Sequence, residues 1–123
     1  MDRKYLEARL VDFAFRIINL CKSCEFDEYT YHLPKQIVRS SSSTALNYGE
    51  AQSAESRADF VHKLSIVLKE LRETHINLII LEKSGVCREK ESLAQLLKET
   101  NELVAIFQKS VSTLKKTGNI RGN

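Results

Sequence analysis

Three cysteines, three histidines and a few clustered lysines carry whatever chemistry this chain can do. Cys21-Lys22-Ser23-Cys24 is a Cys-x-x-Cys pair. Such a pair serves thiol exchange at a strand-to-helix junction, or zinc when a second pair stands elsewhere. Neither context is present: the surrounding pattern is helical and the third cysteine, Cys87, stands alone. Both residues fall on or beside an apolar helical seam, where a free cysteine is a small packing residue. The expectation is therefore reduced thiols. A zinc site recruiting Cys87 and a histidine is the lesser alternative, and a disulfide across one helical turn is less favoured still. His32, His62 and His75 form neither His-Glu-x-x-His nor an i, i+4 pair. Asp59-x-x-His62 resembles half of a carboxylate-bridged di-metal site, but such bundles need Glu-x-x-His on two helices and two further inward carboxylates. There is no Gly-x-Ser-x-Gly, no glycine-rich phosphate loop and no acid pair suited to hydrolysis. No catalytic, metal-binding or cofactor-binding residue is assigned, and an enzyme or metal protein is the third reading of function.

The basic residues say more. From Lys109 to the end the chain carries Lys109, Lys115, Lys116 and Arg121 and no acid. Lys35 and Arg39 are i, i+4 neighbours further upstream. The plain account is a solvated helix end matched to the helix dipole. Net charge is only +3 and the pI near 8.8, milder than a dedicated nucleic-acid module. Symmetry would change that arithmetic, because each phosphate neutralised adds about 0.9 to the salt slope and a ring repeats the patch. No aromatic interleaves with these lysines, so contacts should go to phosphates and read no sequence.

The elements that position these residues are helices. Within residues 59–81, Phe60, Leu64, Val67, Leu71, Thr74, Leu78 and Leu81 step by fours and threes, one stripe of a helix. Val61, Leu68 and Ile79 widen it. Ile66, Ile76 and Ile80 project from the opposite side, so this helix has two sides that avoid water, and the second calls for another subunit. Leu6, Leu10, Phe13, Ile17, Leu20 and Cys24 repeat the pattern near the start, with Val11, Phe15 and Ile18 off the seam. Pro34 opens a second helix whose inward positions, Ile37, Ser41, Thr44, Tyr48 and Ala51, are mostly small; a linker through Ser40–Ser43 is the alternative. Ser53 or Ser56 caps the third helix, Ser84-Gly85 ends it, and Asp59–Lys63 and Lys69–Glu73 are local ion pairs along it. The expected helices cover residues 3–24, 34–52, 54–84 and 89–117, with a frayed tail at 118–123. Four glycines and one proline agree with long helices. The fold is all-α: one domain over residues 1–123, an antiparallel up-down four-helix bundle that assembles as an oligomer. No apolar run approaches the length of a membrane span. The opening MDRKYLEARL lacks a secretory core, so the expected location is cytoplasmic.

Gln36-Ile37-Val38-Arg39 through Ser43, Asn47-x-x-Glu50-Ala51, Ser56-Arg57-Ala58-Asp59-Phe60-x-His62-Lys63 and Leu68-Lys69-Glu70-x-x-Glu73-Thr74 resemble the signature of the four-helix bundle proteins named after 23S rRNA intervening sequences. The match is close over residues 33–81, and the flanking helices fit in length and position. Relatives often carry aromatics just after Glu-Thr, where this chain has His75, Ile76 and Asn77. The resemblance implies a ring-like homopentamer, similar to the accessory proteins of diversity-generating retroelements, which engage a reverse transcriptase and nucleic acid. It supplies no catalytic residues. The reading is a non-enzymatic homo-oligomeric binding or scaffold protein. Weak, sequence-tolerant RNA or DNA binding is expected through Lys109, Lys115, Lys116 and Arg121, and Ile66, Ile76 and Ile80 form the subunit contact. The alternative is a structural oligomer with a protein partner.

Overall fold

The structure, a computed structural model, describes residues 2–122, with side chains described up to Thr117. Four helices follow one another: α1 (Arg3–Ser23), α2 (Leu33–Ala51), α3 (Arg57–Ser84) and α4 (Lys90–Gly122). Local chemistry sets their ends. The Asp2 carboxylate accepts from the Tyr5 N–H at 3.1 Å and caps α1, satisfying one of the amides an N-terminal turn leaves without a partner. Pro34 lies in the first turn of α2. Of the two serines able to cap α3 it is Ser56 that does so, its Oγ accepting from the Asp59 N–H at 3.0 Å. Gly85 ends the helix at φ 76°, a left-handed conformation that glycine adopts without a Cβ penalty. Between α1 and α2 the Asp27 carboxylate accepts from the Tyr29 N–H at 2.9 Å and the Thr30 N–H at 3.0 Å, fixing a tight turn.

Cross-helix contacts give the topology. Residue 39 meets 70 and 73 while 50 meets 63, so α2 and α3 are antiparallel. Residue 72 meets 108 and 57 meets 114, so α3 and α4 are antiparallel too. Residue 9 meets 99, and 24 meets 87, closing α4 back onto α1. This is the all-α bundle that the apolar periodicity predicts. Leu10, Phe13, Ile17, Ile37, Val67, Leu71, Leu78, Leu81 and Leu103 are wholly buried at its centre, and the Tyr48 and Phe107 rings meet edge to face across it at 5.6 Å.

The serine run is helix, not linker. Ser40, Ser41 and Thr44 are fully buried, and their short side chains let α2 lie against α3. Burying hydroxyls requires partners. Ser41 and Thr44 donate to the Val38 and Ser41 carbonyls at 3.2 and 2.6 Å. Ser40 and Thr74 each have a backbone acceptor, the Ile37 carbonyl at 3.3 Å and the Glu70 carbonyl at 2.8 Å, and their hydroxyls share a 2.7 Å bond in which either can donate.

Four expectations need correction. The helix α4 runs to Gly122, past the expected end at 117. Residues 54–56 precede α3, because Ser56 is its cap. The ion pairs on α3 are between helices, not local: Lys63 meets Glu50 at 3.3 Å and Glu73 meets Arg39 at 3.2 Å. The fourth correction concerns thiols. Cys24 is joined to Cys87 by a disulfide with Cα atoms 4.3 Å apart, and only Cys21 is a free packing cysteine. Sixty-three positions separate the pair, and only the antiparallel closure of α4 on α1 brings them together.

Two predictions follow from this packing. Ser40→Leu forces a larger side chain between α2 and α3 and should cost ~1–3 kcal/mol, read as a lower urea midpoint with helical circular dichroism retained. An unchanged midpoint would mean that small side chains do not set the spacing. The second concerns acid. Arg9 Nε and Nη2 donate to Glu99 at 2.9 and 2.7 Å, a two-pronged clasp between α1 and α4. Those bonds hold the Glu99 carboxyl below its ordinary value of 4.5 and raise the Arg9 guanidinium. A carboxyl that titrates lower when folded adds stability above its unfolded value and loses it as pH falls through the folded one. Acidification from about pH 5 to about pH 3 should therefore destabilise wild type more steeply than Glu99→Gln; equal slopes in urea titrations would refute the clasp.

Candidate functional site

The outward side of α3 forms the floor of a groove of about 1020 Å³, walled by α2 and α4. Ser65, Leu68, Lys69, Arg72, Glu73 and Ile76 recur at three- and four-residue spacing along that floor. This is the stripe a straight helix presents between two neighbours. Arg39 enters from α2, and Gln108, Val111, Ser112 and Lys115 enter from α4. Four cations thus converge from three helices.

Their charges are not equally available. Arg39 reaches Glu70 at 3.3 Å and Glu73 at 3.2 Å. Glu70 is only 7% exposed, and a buried carboxylate requires a counter-charge, so Arg39 is committed to holding α2 on α3. Arg72 donates to the side-chain oxygen of Gln108, a neutral acceptor that leaves its charge uncompensated. Lys69 and Lys115 make no ion pair among the described residues. One half of the groove is therefore cationic through Lys69, Arg72 and Lys115. Ile76, 57% exposed, also lines the groove, and Ile80, one turn on and outside its lining, is 46% exposed.

The residues singled out from sequence are distributed unevenly over this geometry. Ile76 and Ile80 stand exposed on α3, whereas Ile66 is half-buried against its neighbours. Of the basic run, Lys115 enters the groove. Lys109 borders a separate apolar pocket of about 430 Å³ at the end of the bundle, lined by Leu6, Tyr48, Phe60 and Phe107. Lys116 is exposed elsewhere on α4, and Arg121 lies outside the described side chains. Six residues on a helix turn through about 600°, so Lys109 and Lys115 diverge by about 120°. The run is not one patch. Lys69 and Arg72 went unrecognised because a lysine four residues before a glutamate reads as a local pair; the usable signal was Arg39, whose claim on Glu73 frees Lys69. On α1, Val11 and Phe15 are exposed as the off-seam pattern predicts. His32 and His62 are exposed and His75 is half-buried. No group of three or more His, Cys, Asp or Glu among the described residues is placed to hold a metal ion. No helix among them is long and apolar enough to cross a membrane.

No curated protein is similar enough to count as a match. Among solved structures, a crystal structure of a protein with unknown function from the S23 ribosomal protein family of Bacteroides thetaiotaomicron is similar to this chain. The two share 30% identity and a TM-score of 0.79, over 91% of this chain and 99% of that one. The model of the family described as 23S rRNA-intervening sequence protein matches residues 7–109. With that family match spanning all four helices, the chain belongs to the 23S rRNA-intervening sequence protein family.

Proposed function

We propose that the protein is a non-enzymatic binding module that associates with copies of itself and engages nucleic acid through phosphates. The observation that carries this reading is the convergence of Lys69, Arg72 and Lys115 in one groove whose nearby acids are already taken by Arg39. Three cations on rigid helices can grip a phosphate backbone, and the absence of an aromatic from the groove lining removes any platform for stacking bases. Binding of this kind positions a polymer without reading its sequence. One subunit offers few contacts; copies sharing one strand would strengthen binding by about 10²–10⁴ if the sites can be spanned together.

Self-association rests on large apolar side chains that the folded chain leaves exposed. Ile76 and Ile80 on α3, with Val11 and Phe15 on α1, are large apolar side chains left in water by the folded chain. Full burial of each in a subunit contact would contribute about 1.5–3 kcal/mol. A copy seated on Ile76 and Ile80 leaves Lys69, Arg72 and Lys115 at the border of the contact, where charges from neighbouring subunits line up. The exposed isoleucines also favour a second reading, a structural oligomer whose partner is another protein.

Two measurements test these proposals. Ile76→Glu with Ile80→Glu should give smaller species that remain helical, read by light scattering; wild type that is already monomeric at micromolar concentration would remove the assembly reading. For the ligand, filter binding to single- and double-stranded RNA and DNA across a salt titration should show weak, salt-sensitive binding. Lys69→Gln, Arg72→Gln and Lys115→Gln together should weaken it alike for all sequences and lower the salt slope by about 2–3 per subunit. Lys109→Gln with Lys116→Gln should have the smaller effect. If wild type binds none of these polymers at low salt, the protein-partner reading takes its place.

A further inference from the structure

Cys24 lies just past the end of α1 in extended backbone, φ −87° and ψ 152°, and Cys87 lies in the connection between α3 and α4. The two face each other as an isolated antiparallel bridge. Beside it the Glu25 N–H donates to the Val86 carbonyl at 3.0 Å, and Arg88 pairs with Glu25. Of the adjacent helix pairs, α1 and α4 share the smallest interface. At this end they border a cleft of about 360 Å³ lined by Arg16, Asn19, Ser23, Ser92 and Gln95 together with Leu20 and Leu96. Packing alone therefore holds this end of the seam weakly, and a covalent bond holds it instead.

We propose that Cys24–Cys87 is a redox modification site that fastens or releases this end of the α1–α4 seam. A small dithiol is the reductant. Its thiolate attacks Sγ of Cys24, because Cys24 is half-exposed whereas Cys87 is buried. The Cys24–Cys87 bond breaks and Cys87 leaves as a thiolate that takes up a proton. The second thiol of the reagent then attacks the mixed disulfide and releases Cys24, also protonated. Two electrons pass from the dithiol to the protein, and the dithiol ends as its own cyclic disulfide.

Both states are accommodated. Sγ of Cys24 lies 3.2 Å from the Leu20 carbonyl, which can accept its S–H once the bond is broken. Cys87 is surrounded by core residues, where a neutral thiol is at ease. The remaining cysteine does not intervene. Burial pushes the Cys21 thiol up to about 11, so the attacking thiolate is scarce near neutral pH. The site thus has two states rather than a set of interchanging pairings.

Hydrogen exchange read by mass spectrometry on the full chain tests this. With a dithiol, amides in residues 20–30 and 85–96 should exchange about tenfold faster or more, while those of α2 and α3 stay unchanged. Oxidised glutathione should restore slow exchange, with the mass of one disulfide. Cys87→Ser should behave as the reduced protein in either condition, and Cys21→Ala should switch as wild type does. Identical exchange in the two redox states would overturn the proposal, as would failure of the wild-type disulfide to form under oxidised glutathione. If Cys87→Ser does not fold, the comparison of oxidised and reduced wild type decides by itself.

Discussion

The hydrogen bond between Ser40 and Thr74 stands at the point on which the rest of the bundle depends. Both hydroxyls are fully buried, so neither can fall back on water, and an unmet partner would cost about 1–3 kcal/mol. Their meeting requires α2 to lie close to α3, which the short side chains of Ser41 and Thr44 permit. Close approach carries Arg39 over the edge of α3, within reach of Glu70 and Glu73. Glu70 could not be buried without that guanidinium. A small-residue face, an internal hydroxyl pair and a half-buried ion pair are thus one arrangement.

That arrangement also decides which charges remain for a ligand. Arg39 absorbs the acids at its end of the groove, so Lys69 is released from its helical neighbour Glu73 and joins Arg72 and Lys115. Net charge is a poor guide here. A chain of +3 presents a local cationic site because its acids are spent within the fold. The opposite side of the molecule is built differently. There α1 and α4 meet over a smaller area and are joined by directional devices: the Arg9–Glu99 clasp and the Cys24–Cys87 bond. The bundle therefore has one seam set by packing and one set by charge and covalency.

Much of the fold was legible in the sequence, and the reason is local. Steps of three and four along 6–20 and 60–81 mark faces that a helix must hide, and those faces are the core. Helix starts and stops written in single residues, Pro34, Ser56 and Gly85, follow from backbone groups and left-handed φ that any chain must satisfy. The second apolar side of α3 was legible for the same reason at Ile76 and Ile80. Ile66 was not separable from them, because its half-burial depends on how far a neighbouring helix overlaps that edge.

What only the tertiary structure decided are relations across distance. Periodicity assigns each residue a face on its own helix but says nothing of which helix edge that face will meet. The lysine run from 109 read as one patch, yet 100° per residue turns Lys109 away from Lys115, and among the run's described side chains the groove draws Lys115 alone while adding Lys69 and Arg72. The local partners expected for Lys63 and Glu73 gave way to Glu50 and Arg39 because packed helices bring oppositely charged groups nearer than one turn does. Cys21-x-x-Cys24 read as reduced packing thiols, whereas Cys24 is bonded to Cys87. By itself the sequence determined four helices and the faces they bury, since those follow from backbone geometry and the aversion of apolar groups to water. The pairing of charges and of sulfurs was left to the antiparallel closure of the bundle, because proximity between distant residues is a property of the packed chain and of no segment within it.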